Sequence, residues 1–206
     1  MKRYLVFLVL LLSSEIFSQG ASKVSFQKNR YDLAISYYKK EELDKALDLF
    51  SVACKIHREN EVGKEAMKKI TALKKRLRKD FFSKTLGNWR LDGNKPTWAV
   101  RTEEDENKTV TEVIEISETK VLFYEEDKKT KLKKWVKTED LVFYNEEEAD
   151  SLFSAIVWSN GSAWICSLNE SGNILHLINI AKKDINGVEK ISTNNAERFY
   201  TKVLEL

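Results

Sequence analysis

Two cysteines, two histidines and a few acidic runs are where a search for chemistry starts in this 206-residue chain. Cys54 and His57 stand three apart, a spacing that puts both on one face of a helix. A zinc-type site needs three or four ligands, and no further ligand accompanies this pair. Cys166 and His176 flank a turn at Glu170-Ser171-Gly172. A three-residue loop would set Cys166 opposite His176, whereas a two-residue loop would set it opposite Leu177. A Cys–His contact can generate a reactive thiolate. No orienting Asn or Asp completes it here, so a buried polar contact is the expectation. The acidic runs Glu103–Glu106 and Glu146–Glu148 read as solvated loops. There is no glycine-rich phosphate loop, His-Glu-x-x-His, Gly-x-Ser-x-Gly or dinucleotide fingerprint. The expectation is therefore a non-enzymatic protein with no catalytic residue, no metal and no cofactor.

The elements that would position these residues fall into three stretches. Lys2 and Arg3 precede an apolar run from Tyr4 to Leu12, followed by Ser13, Ser14 and Ser18-Gln19-Gly20. This is the order of a secretory signal peptide, and the run is shorter than the roughly 20 residues that span a bilayer. Residues 1–19 are expected to be such a signal, and the protein to be exported, periplasmic or secreted. The chain carries 35 basic and 32 acidic residues, a net charge of +3. Near-neutrality argues against a nucleic-acid partner. Two cysteines exclude a disulfide-rich scaffold.

Residues 24–80 have helical periodicity. Leu33, Ala34, Tyr37 and Tyr38 form one stripe. Leu43, Ala46, Leu47, Phe50, Ala53 and Cys54 form a second, and Ala66, Met67, Ile70, Leu73 and Leu77 a third. Spacings of three and four give three antiparallel helices, with turns at Lys39–Glu42 and Arg58–Glu61 and an N-terminal signal at Asn60. The first two resemble one tetratricopeptide repeat: Leu33, Ala34 and Tyr37 match its first helix, and Leu43, Ala46, Phe50 and Ala53 its second. The resemblance implies protein–protein interaction, with Tyr37, Tyr38 and Phe50 as docking candidates. One repeat cannot bury its apolar face alone, so it needs the third helix, the following domain or another chain against it. The third helix also carries a basic face that includes Lys64, Lys68, Lys74, Lys75 and Lys79, read chiefly as a solvated surface and only weakly as a membrane contact.

Residues 81–206 turn to short runs of Val, Ile, Thr and aromatics. Asn160-Gly161 and Asn186-Gly187 are strong hairpin signals. Nine or ten strands joined to their neighbours form an antiparallel meander, closed as a barrel or folded as a sandwich. Phe82-x-x-x-Leu86-Gly87-Asn88-Trp89 resembles the first motif of the lipocalins. That resemblance implies a barrel over about residues 82–206, plugged by Trp89 beside Gly87, with Arg198 or Lys202 packed across the indole. The family's second motif is missing. The fold class expected is α+β: a three-helix, tetratricopeptide-like segment followed by a lipocalin-like meander barrel. Such a barrel holds one small ligand or is simply filled. Trp98, Phe123, Trp135, Phe143, Trp158, Trp164 and Leu177 are the candidates to line it. The functional expectation is an exported carrier for a small apolar molecule or lipid; the alternative is a cell-envelope interaction module with a filled barrel and the helices as docking surface. A cavity of roughly 300 Å³ or more separates the first from the second.

Overall fold

The computed structural model describes residues 22–93, 108–145, 148–184 and 187–203. The signal-like segment and Trp98 lie outside them. The fold is α+β: three helices precede a ten-stranded antiparallel sheet. The chain divides into two units, one of residues up to Leu77 with Asn145–Ser151, the other of Arg78–Tyr144 and Leu152–Leu206.

In the first unit, α1 runs over 22–39, α2 over Leu43–Ile56, and α3 begins at Glu61 and continues to Thr85 in the second unit. The stripes of the second and third helices bury as their spacing requires, with Ala46, Phe50, Ala53, Ala66 and Ile70 fully enclosed. Small side chains at these crossings let the helix axes approach closely. The first stripe is rotated from its expected position. Leu33 is exposed, Ala34 is buried, and Gln27 is buried one turn earlier on the same face as Tyr31 and Ala34. Asn60 caps α3 by accepting a hydrogen bond from Gly63 N–H at 2.8 Å. A Cβ on Gly63 would meet the His57 carbonyl oxygen at 2.1 Å, so the end of α2 can pass this close to α3 only over a glycine.

The second unit holds β1 (Gly87–Gly93), β2 (Val110–Ile116), β3 (Lys120–Asp127), β4 (Lys133–Asp140) and β5 (Val142–Phe143), then β6 (Ala155–Val157), β7 (Ser162–Leu168), β8 (Ile174–Asp184), β9 (Gly187–Lys190) and β10 (Glu197–Lys202). The hydrogen-bonded order is β4-β3-β2-β1-β10-β8-β7-β6-β5, with β9 on β8. Among the described residues this path does not close, so the expected barrel is replaced by an open sheet. Its two end strands are consecutive in sequence, separated by Leu141 alone. The Asn160-Gly161 signal makes the β6–β7 turn, where Trp158 N–H donates to the Ser162 carbonyl and Gly161 N–H to the Trp158 carbonyl. Gly161 has φ +80°, and a Cβ there would lie 2.1 Å from the Lys183 carbonyl oxygen.

One face of the sheet carries the core: Trp89, Ile114, Ile116, Val121, Phe123, Ile156, Trp164, Cys166, Leu175, Leu177 and Tyr200, joined by Phe82 from the end of α3. Period-two alternation puts these side chains on a common face.

Candidate functional site

Trp89 and the cation across it are the first expectation to place. Trp89 is fully buried, and its indole N–H donates to the Thr85 carbonyl at 2.7 Å, so the end of α3 satisfies the one polar atom of a large apolar group. The cation across that indole is Lys202, 5.2 Å from the ring centroid, with its ammonium 3.1 Å from the Lys84 carbonyl. Arg198, the preferred expectation, sits 5.7 Å over Trp164 instead. β10 pairs Trp89 with Lys202, and that register decides the matter. Arg198 also donates to Glu112 at 3.0 Å, and the Tyr200 hydroxyl donates to the same carboxylate at 2.6 Å. Burial, and then the Glu112 charge, raise the Tyr200 phenol well above its ordinary value, so it remains a neutral donor.

Among the described residues, the cavity enclosed by this core amounts to about 10 Å³, bounded by Phe82, Ile114, Trp158, Cys166, Leu175 and Leu177, room for about one water. A second cleft of about 440 Å³, open to solvent, lies against Trp164, Asn195, Ala196, Glu197 and Arg198. Of the proposed lining residues, Phe123, Trp164 and Leu177 belong to the buried core, while Phe143 and Trp158 pack against it. Trp135 does not: it stands 59% exposed on β4. The β3–β4 pairing slips at Phe123/Tyr124, setting Trp135 opposite Tyr124 and away from the core face.

Cys166 lies opposite Leu177, and His176 opposite Ser167, so the expected Cys–His contact does not form. Burial pushes the Cys166 thiol up to about 12, far from a thiolate nucleophile at neutral pH. His176 instead meets Glu197 at 2.7 Å and stacks on Phe199. No group of three or more His, Cys, Asp or Glu side chains with metal-binding geometry exists among the described residues.

The helical unit holds the arrangement with the most specific polar contacts. Gln27 Nε2 donates to the Ala53 and His57 carbonyls, each at 2.9 Å, and Asn60 Nδ2 donates to Gln27 Oε1 at 2.6 Å. One side chain on α1 thus ties down the last turn of α2 and the cap of α3. Gln27 escaped the sequence reading because a polar residue in a helical stripe looks like a surface position. On the opposite side of the chain's order, Asn145–Ser151 belongs to this same unit. Ser51 donates to the Ala149 carbonyl, Arg58 pairs with Glu148, and Lys74 pairs with Asp150 at 2.5 Å. Lys74 and Asp150 are both buried. Lys74 is therefore not part of a solvated basic face. Of the docking candidates, Phe50 is fully buried against Tyr31 and cannot meet a partner. Tyr37 and Tyr38 are half-buried, under Lys45 and Lys69 respectively. Val24, Phe26 and Leu33 on α1 and Val52 on α2 are exposed.

A family model described as a tetratricopeptide repeat matches residues 31–60. That stretch covers the second half of α1, all of α2 and the cap of α3, so this hairpin is similar to such a repeat. No curated protein matches the chain. No solved structure matches it either.

Proposed function

We propose that this protein is a non-enzymatic protein-interaction module exported to the cell envelope, with the α1–α2 hairpin as its docking element and the sheet unit as a filled scaffold. The observation that carries the reading is the tetratricopeptide match on residues 31–60. Two further features support it. Exposed Phe26 and Leu33 are seven residues apart on α1, two turns along one face, and Tyr37 is the next half-exposed apolar side chain on it. A core that encloses only about 10 Å³ among the described residues supports a filled scaffold over a buried site for a small apolar ligand or lipid. The order of charges, apolar run and small residues in 1–20 supports export.

Photo-crosslinking residues placed at Phe26 and Leu33, and separately inside the sheet at Phe123, test this in the native host. The expected result is one discrete protein adduct from the α1 positions, found in the envelope fraction, and none from Phe123. Retained lipid in protein purified from that host, crosslinked from Phe123 with no α1 adduct, would restore the carrier.

A further inference from the structure

The β3–β4 hairpin presents a surface that the interaction reading does not use. From Lys128 to Lys137 the chain carries six lysines (128, 129, 131, 133, 134 and 137) and no carboxylate. Among them stand Leu132, 73% exposed, with Trp135 and Val136 also exposed. The tip is built, not loose. Asp127 accepts hydrogen bonds from the Lys129 and Thr130 backbone N–H groups at 2.9 and 2.7 Å and from the Thr130 hydroxyl at 3.0 Å. β4 is an end strand of the sheet path. Lysines alone on an edge strand are a common guard against strand-to-strand aggregation. A guard has no use for a Leu, a Trp and a Val exposed among the lysines, which instead invite apolar contact.

We propose that this hairpin is a contact surface for an anionic lipid bilayer. Lysine stems and heads suit the headgroup layer, an indole suits the interface, and Leu132 and Val136 supply the apolar insertion that a purely polyanionic partner would not reward. Five carboxylates belong to the same hairpin, Glu125, Glu126, Asp127, Glu139 and Asp140, and against them the six lysines leave a small positive excess. Glu126 pairs with Arg90 at 2.8 Å and lies 3.9 Å from Lys131, Glu139 pairs with Lys137 at 2.8 Å, Glu125 lies opposite Lys134, and Asp127 is taken up by the backbone N–H groups of the tip. The positive charge is concentrated at 128–137, which holds no carboxylate.

The full chain without residues 1–19 is mixed with vesicles of phosphatidylglycerol and phosphatidylcholine, and with phosphatidylcholine alone. The expected result is co-sedimentation with the anionic vesicles only, weakened by high salt. Brominated lipid should quench a fluorescence component that W135F removes. Each surface lysine contributes roughly fivefold to such partitioning, so K133Q/K134Q should weaken it about 25-fold. K75Q/K79Q, on the basic face of α3, should leave it within about twofold, well under the loss of one contributing lysine. All four lysines are exposed, and circular dichroism checks that the variants fold. The proposal fails if the protein does not partition, if K75Q/K79Q rather than K133Q/K134Q abolishes partitioning, or if soluble polyglutamate binds the hairpin while vesicles leave Trp135 unquenched.

Discussion

The helical and sheet units solve the problem of buried charge in opposite ways. In the sheet unit three ion pairs on sheltered carboxylates keep the basic partner partly in water: Arg90 beside Glu126, Lys137 beside Glu139, Arg198 beside Glu112. The interior itself is apolar and closely filled. In the helical unit Lys74 and Asp150 are both withdrawn from solvent, and Gln27 spends its amide on backbone carbonyls. A half-solvated pair can lose one partner and let water replace it. A fully buried pair cannot, because the charge left behind stays unsolvated. Both units are built on buried apolar side chains; the helical unit adds a few enclosed polar contacts of fixed geometry that also secure an irregular segment.

Each unit contains one buried cysteine, Cys54 in the helices and Cys166 in the sheet, so labelling of each thiol reads the opening of its own unit. The largest effects should come from the two features that define the contrast. Trp89→Ala removes a fully buried indole and should cost about 3–5 kcal/mol, with Cys166 labelled faster by a corresponding factor. Lys74→Met removes the ammonium that pairs with buried Asp150 and should also cost about 3–5 kcal/mol, with Cys54 as the faster thiol. Adding Asp150→Leu to Lys74→Met should recover most of that loss, since an apolar pair of similar volume carries no desolvation penalty. If the double variant stays as unstable as the single one, the pair does something beyond balancing its own charges and the contrast fails. Gln27→Leu comes next, at roughly 1–3 kcal/mol, because it strips hydrogen bonds from the Ala53 and His57 carbonyls. Little change in Cys54 labelling would mean that the helices do not depend on this tie.

The unequal legibility of the two units follows from the same difference. Apolar periodicity marked the three helices, the caps and turns near Asn60 and Lys39–Glu42, and the meander with its Asn160-Gly161 hairpin, because hydrophobic burial leaves a regular imprint on sequence. Exposure of the helical aromatics was half legible: Tyr37 and Tyr38 are partly exposed and Phe50 is buried, since aromatic identity alone does not say which face a helix presents. The Lys74–Asp150 and Gln27 contacts were illegible. Their partners lie 76 and at least 26 residues away, and no local pattern distinguishes a lysine that pairs inside from one that meets water. Closure failed for a related reason: which cation crosses Trp89, and whether β4 meets β5, depend on register across the sheet, which no single strand encodes.

The smallest effect tests the half-solvated side of the comparison at the place where the ends of the sheet path come together in sequence. Glu139, the buried carboxylate of β4, accepts hydrogen bonds from the Ser159 backbone N–H at 2.8 Å and from its hydroxyl at 2.9 Å, in the β6–β7 turn. Burial alone would raise its pKa. Hydrogen bonds from Lys137 and Ser159 outweigh that and hold it below the ordinary glutamate value. A carboxylate depressed in the folded state adds stability above its unfolded value, about 4.3, and the gain disappears as pH falls through the folded value. The sheet unit should thus lose this increment in the acid range below about pH 4.3. Glu139→Gln keeps an acceptor for Ser159 but gives up the charge, so at pH 7 it should cost only about 1 kcal/mol because Lys137 is half in water. At a pH below the folded value, wild type and Glu139→Gln should converge in Cys166 labelling. A gap that persists there would assign the loss to shape and not to charge. A gap at neutral pH as large as that of Lys74→Met would place Glu139 among the fully buried charges and remove the distinction between the two units.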